Sequence, residues 1–342
     1  MKHFLKVSII IMSGVGILLG LLFWYLNLPG PQPREDVHLG MTFSSRYASD
    51  LGLDWRETYE ALLDDMKIKK MRIPVYWDLV ERTPGQYDFS DVDWQVAEAE
   101  QRGVEIILTL GQRVPRWPEC HIPSWAKNDE VIRQAALLRF MTATVERYKD
   151  AKTLRMWQVE NEPFLVFFGE CPPLDSDFLD WEVSLVRTLD PTRPVLLTDS
   201  GELSIWIRAA KRGDVFGTTL YRHIWSKNTG GYFTYPIGPN FFRLKELMVR
   251  VLTSQKNFIV IELQAEPWAS GWIATVPLAE QFRTMDETKL RENVEYAKRV
   301  GFSDIYLWGG EWWYWMKTKK EYPALWETGK MIFQDNAKEE SR

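Results

Sequence analysis

Two glutamates stand where this chain could do chemistry: Glu162 in WQVENEP (Trp157–Pro163) and Glu262 in FIVIELQAEPW (Phe258–Trp268). Each follows an apolar run, which places it at the end of a buried segment rather than on a solvated helix face. Two facing carboxyls suit cleavage of a glycosidic bond. One protonates the leaving oxygen while the other attacks the anomeric carbon or activates water. Their acidities must differ, because one has to keep its proton at a pH where the other has lost it. Asn161, beside Glu162, carries an amide that could hold a sugar 2-hydroxyl. Arg72 is a permanent cation and, if it lies near Glu262, would favour the carboxylate form. Tyr221 could orient the same carboxylate through its hydroxyl.

The segments that would have to position these groups alternate between strand-like and helix-like patterns. Short continuous apolar runs recur at 37–43, 71–75, 104–110, 154–159, 194–198, 215–221, 258–263 and 304–308. Such runs read as strands buried on both faces. Helical patterns lie between and after them, at 55–67, 91–103, 130–148, 177–189, 203–212, 241–251, 286–300 and 324–333. Gly103, Gly213 and Gly301 serve as helix stops. Strict β/α alternation implies a parallel sheet, and eight units over this length fit an α/β (β/α)8 TIM barrel. The competing doubly wound sheet lacks its glycine-rich turn after the first strand. In a barrel the strand C-termini form the reactive face. Polar or aromatic groups collect there: Arg72 and Trp77 on and after the second strand, Glu162 after the fourth, Tyr221 and His223 after the sixth, Glu262 on the seventh, Trp308 on the eighth.

At these residues the chain resembles the clan A glycoside hydrolases, the retaining barrels that include family 5 and family 42 enzymes. The resemblance rests on WQVENEP, on FIVIELQAEPW, on MRIPVYWDLVERTPGQYDFSDVDW and on the tryptophan in YLWGGEWWYW, and so covers most of 37–315. It implies Glu162 as acid/base and Glu262 as nucleophile, with Arg72, Asn161, Tyr221 and Trp308 around the sugar. It departs from the family pattern in the seventh strand, where Glu266 also qualifies. Glu262 is preferred because it follows directly on the apolar run. His223 after Tyr221 reverses a His-x-Tyr order. A transglycosylase would use the same pair, and a non-catalytic sugar-binding barrel is the alternative of another class.

Other groups carry weaker signals. Glu160 reads as a supporting or solvent-facing residue, and Glu311 is as easily structural as substrate-binding. His121 has no second histidine at metal-ligand spacing, so neither a metal nor a cofactor is expected. Tryptophans assigned to loops (Trp117, Trp125, Trp225, Trp268, Trp312, Trp313) are candidate platforms for sugar rings.

Residues 7–26 contain no charge and are long enough to cross a bilayer. Lys2 and Lys6 precede them and Trp24 and Tyr25 stand at the far end, the pattern of a signal-anchor with a cytoplasmic N-terminus. A cleaved signal peptide is the alternative. Residues 1–26 are therefore read as an anchor contacting lipid, 27–35 as a Pro-rich spacer, and 36–342 as the barrel, exported in either case. In that compartment Cys120 and Cys171, in neighbouring loops of the reactive face, can form a disulfide. A net charge of −5 gives no footprint for nucleic acid. The expected partner is an oligo- or polysaccharide; the sequence does not fix which sugar, the linkage or the oligomeric state.

Overall fold

A computed structural model describes residues 2–340. Eight parallel strands close into a barrel in sequential order: β1 (His38–Thr42), β2 (Lys70–Pro74), β3 (Glu105–Leu110), β4 (Leu154–Val159), β5 (Val195–Asp199), β6 (Val215–Leu220), β7 (Phe258–Gln264) and β8 (Asp304–Trp308), with β8 pairing back to β1. All eight expected strands are present. The alternating faces of each strand feed two cores. Ile107, Leu196, Val215, Ile259, Ile261 and Tyr306 fill the barrel interior, and a larger cluster lies between sheet and helices. Gly40 is required in β1, since a Cβ there would stand 2.6 Å from the Tyr306 ring inside the barrel.

The surrounding helices start where the sequence supplies caps. Asp54, Asp129, Asp175 and Asp286 each accept a backbone N–H in the first turn of the helix that follows. Gly103 and Gly301 take positive φ at helix ends, as expected. Three expectations change. The helix expected at 203–212 shrinks to Ile207–Ala210, because Ser200 and Ser204 bond locally and Trp206 adopts φ 68°. An antiparallel hairpin, His223–Ser226 with Gly231–Thr234, occupies what reads as loop after β6. Residues 310–319 form a helix, so Trp312 and Trp313 are not in a loop; both are fully buried and donate to Gln281 and to the Ala265 carbonyl.

Residues Lys2–Leu26 form one helix. Its stretch Lys6–Leu26 is long and apolar enough to span a membrane, and none of that stretch is buried. The chain after it does not swing free. Arg34 donates to the Gly301 carbonyl at 3.2 Å, and Arg299 donates to the Pro31 carbonyl at 3.2 Å.

Candidate active site

A buried arginine that reaches across the barrel organises the centre. Arg72 on β2 is wholly enclosed and donates to Glu262 on β7 (Nη1 to Oε1, 2.6 Å), to Gln158 on β4 (2.8 Å) and to the Asn161 side-chain oxygen (2.8 Å). Tyr221 donates to the other oxygen of Glu262 at 3.2 Å. Glu262 thus has a cation on one side and a phenol on the other, the setting expected from the sequence. The strand runs on to Gln264, past the expected end, and a register shift beside Thr218 and Thr219 sets Glu262 opposite Thr219.

Glu162 sits just beyond β4 with φ 43°, and Glu160 has φ 56°. Two left-handed residues in three turn the chain sharply at the barrel rim, a strain that needs outside support. Glu160 supplies part of it. It is buried, not solvent-facing, and its two oxygens accept from the backbone N–H groups of Gln112 (2.8 Å) and Arg113 (2.7 Å). A Cβ on Gly111 would collide with this carboxylate at 2.4 Å, so the β3 end must be glycine. Glu162 itself receives a hydrogen bond from Thr219 at 3.1 Å, and its backbone N–H donates to Thr198. Thr219 therefore pairs with Glu262 through the sheet and touches Glu162 through its hydroxyl. Burial, then the charges of Glu262 and Glu119, push the Glu162 carboxyl well above the usual carboxylate range.

Glu119 was not singled out in the sequence. It lies in the loop after β3, is buried, and accepts from the Asn161 amide at 3.2 Å. Burial raises it to about 7, against the opposing pull of Arg113. Its only sequence signal was its position beside Cys120. Cys120 and Cys171 are joined, with Cα atoms 5.2 Å apart. Behind this bridge a cavity of about 350 Å³ lies between the helices that follow β3 and β4. Arg113, Arg133, Glu160 and Glu182 line it, whereas neither Glu162 nor Glu262 does.

The remaining candidates divide. Glu266 is paired with Arg116 and accepts from the Trp308 indole at 2.8 Å, and a second carboxylate, Glu311, accepts from Arg116 at 3.1 Å. The Arg116 guanidinium covers one face of Trp308, 3.9 Å from its centroid, so that face is closed to a sugar. Trp268 is half-buried and lies edge-on to Tyr221 with centroids 5.2 Å apart, at the mouth. Trp77 does not reach the mouth: it is fully buried against Phe140 and donates to Glu81, leaving no face for a ligand. His223 opens the hairpin and bonds Thr234 at 2.8 Å; its backbone N–H donates to Gln264. No group of three His, Cys, Asp or Glu suited to a metal occurs among the described residues.

No family model matches the chain. Among curated proteins, a probable mannan endo-1,4-beta-mannosidase F of Emericella nidulans is 26% identical over 132 residues, 34% of this chain and 28% of that protein. The protein of the same name from Aspergillus oryzae is 25% identical over 133 residues, again 34% of this chain and 26% of its own length. The match thus spans about a quarter of these relatives. Among solved structures, a GH5_18 protein of Bifidobacterium longum in complex with Manb1-4GlcNAc superposes with TM-score 0.56 at 13% identity, covering 80% of this chain and 68% of that one. The exo-beta-1,4-mannosidase Op5Man5 from Opitutaceae bacterium strain TAV5 gives TM-score 0.52 at 17% identity, covering 80% and 51%. In sequence over a third of its length, and in fold over four fifths, the chain is similar to clan A glycoside hydrolases built on the (β/α)8 barrel.

Proposed function

We propose that this protein is a membrane-anchored, extracytoplasmic glycoside hydrolase that cleaves O-glycosidic bonds with retention by double displacement. The observation that carries the reading is the unequal setting of two buried glutamates. Glu262 is ion-paired with Arg72 and bonded to Tyr221, whereas Glu162 has no cation bonded to it and is raised by its neighbours. Glu262 attacks the anomeric carbon as Glu162 gives its proton to the leaving oxygen. Water then takes the place of the leaving group, and Glu162, now a base, removes its proton as the bond to Glu262 breaks. Asn161 meets the sugar near its 2-hydroxyl, and Trp308, with one face covered, offers only its other face and edge; Trp268 borders the mouth.

The names of the relatives make β-1,4-linked mannose-containing saccharides the first substrate class to test. Incubation of the full chain with mannan oligosaccharides and aryl β-glycosides, followed by proton NMR, reports the anomer released first. The β-anomer supports double displacement; the α-anomer from a β-glycoside overturns it. Labelling by a 2-deoxy-2-fluoro glycoside, mapped to Glu262, tests the nucleophile. Sodium carbonate extraction of membranes tests the anchor.

A further inference from the structure

A groove that holds a sugar chain along its length needs two open ends across the mouth of the barrel. Here the loops that follow β7, β8, β1, β2 and β3, consecutive strands around the barrel, are fastened to one another. Ser44, after β1, donates its backbone N–H to Glu311 after β8 at 2.6 Å, and its hydroxyl lies 2.6 Å from that of Tyr76 after β2. Tyr76 in turn donates to the Pro115 carbonyl after β3 at 3.1 Å. Arg116, the next residue, closes the circuit: it is paired with Glu266 after β7 and donates to Glu311 at 3.1 Å. Ser44, Tyr76, Arg116, Glu266 and Glu311 are all buried.

The Arg116 guanidinium lies between two rings, 3.6 Å from the centroid of Tyr47 and 3.9 Å from that of Trp308. Trp272, exposed to solvent, stands edge-on to Tyr47 with centroids 5.8 Å apart. The row of planar groups thus runs from Trp308 in the centre out to the surface. Arg116 itself holds φ 92°, a left-handed backbone that persists only where its surroundings fix it. Two carboxylates and two rings do so here.

The other side of the mouth is built differently. The contact that crosses it, between half-buried Phe168 after β4 and Trp268 after β7, joins rings with centroids 5.9 Å apart. Rings can part without stripping a buried charge of its partner. Glu162 faces this side, where Thr198 on β5 accepts from its backbone N–H and Thr219 on β6 donates to its carboxyl. The leaving group therefore departs toward β5 and β6, and the sugar bonded to Glu262 lies against the closed side.

Resting on the reading that Glu162 and Glu262 hydrolyse glycosides, we propose that the site is a blind pocket, closed by Arg116, that holds a single sugar ahead of the scissile bond. The substrate is then the non-reducing terminal residue of a saccharide, removed from the chain end rather than by internal cleavage. Arg116 sets this specificity without touching the reacting atoms.

The test pairs two aryl β-glycosides of each of mannose, glucose and galactose. One is the monosaccharide; the other is the β-1,4-linked disaccharide with its terminal 4- and 6-hydroxyls blocked by a benzylidene group. The full chain should release phenol from the monosaccharide about a hundredfold faster than from the blocked disaccharide. Comparable or faster release from the blocked disaccharide overturns the blind end and leaves the hydrolase standing. Release from neither compound of any sugar overturns the hydrolase reading, and the blind end with it. Arg116→Ala should shift the ratio about tenfold toward the blocked disaccharide. Should losing the cation unfold that variant, as a melting curve reports, Tyr47→Ala frees one side of the guanidinium with every charge retained and carries the same expectation. A folded variant whose ratio stays at the parent value overturns Arg116 as the closing residue.

Discussion

The indole N–H of Trp308 donates to Glu266 at 2.8 Å, on the same carboxylate that pairs with Arg116. This bond sets apart the surroundings of two glutamates that the sequence leaves in competition. Glu266 is occupied in holding Arg116 and Trp308 together, and a Cβ on Gly309 would strike it at 2.5 Å. Glu262 instead faces Arg72, Tyr221 and the acid opposite. Glu262→Ala should bring turnover to background and also lower the melting temperature, because it strips a partner from the buried Arg72. Glu266→Ala removes one partner of a buried ion pair, which costs about 3–5 kcal/mol. It should lower the melting temperature and leave turnover measurable. A stable, inactive Glu266→Ala beside an active Glu262→Ala reverses the assignment.

Glu162 carries its proton well above the ordinary carboxylate range, because burial and two neighbouring carboxylates disfavour its anion. Activity should therefore fall on the basic side as this proton is lost. Glu162→Gln should slow alkyl glycosides by about 10²–10⁴-fold. Aryl glycosides with good leaving groups, which need little protonation, should slow less. The basic limb should vanish with the acid that produces it, as read from kcat/KM between pH 5 and 9. A limb that persists in Glu162→Gln assigns the proton to another group.

Glu119 adds negative charge beside Glu162 once it ionises, at about pH 7. Removing that charge lowers the Glu162 carboxyl, so Glu119→Gln should move the basic limb to lower pH. It should also weaken the hold on the Asn161 amide, reducing kcat/KM about tenfold to hundredfold, the value of a hydrogen bond to a charged group. A variant with unchanged limb and rate places Glu119 outside the chemistry.

Glu182, from the helix after β4, shares a hydrogen bond with Glu160. Burial and the Glu160 charge push its carboxyl well above the usual range. A carboxyl raised in the folded state binds a proton that the unfolded chain gives up near pH 4.3. Stability from this pair is then full in acid and declines as pH rises toward the folded value. Glu182→Gln donates the same bond without needing a proton. Its melting temperature should exceed that of the parent at pH 7 and match it near pH 4. Identical curves at both pH values remove the pair from the stability of the β3 and β4 ends.

How much of this was legible follows from what each element needed. The barrel strands were readable because a strand buried on both faces must be a continuous apolar run. The hairpin at 223–234 was not, since HIWSKNTGGYFT mixes polar and aromatic residues without a clean two-residue period. Glu162, Glu262, Arg72 and Asn161 could be singled out as candidates because each lies on a strand or just beyond its end. Trp77 misled for the opposite reason: its place after β2 suggested the mouth, but a short helix over 77–80 turns it inward. Glu119 and Glu182 belong to a loop and a helix, where an isolated acid is ordinarily solvated. Only the folded chain shows that both are enclosed.

The bridge between Cys120 and Cys171 has a consequence for when the site becomes complete. Cys120 directly follows Glu119, and Cys171 lies on the loop that leaves Glu162. Closing the bond fastens both acidic loops at once, and thiols persist in the cytosol but pair in oxidising compartments. With the export proposed above, the bond that fastens the two acidic loops would form only after the chain has left the cytosol.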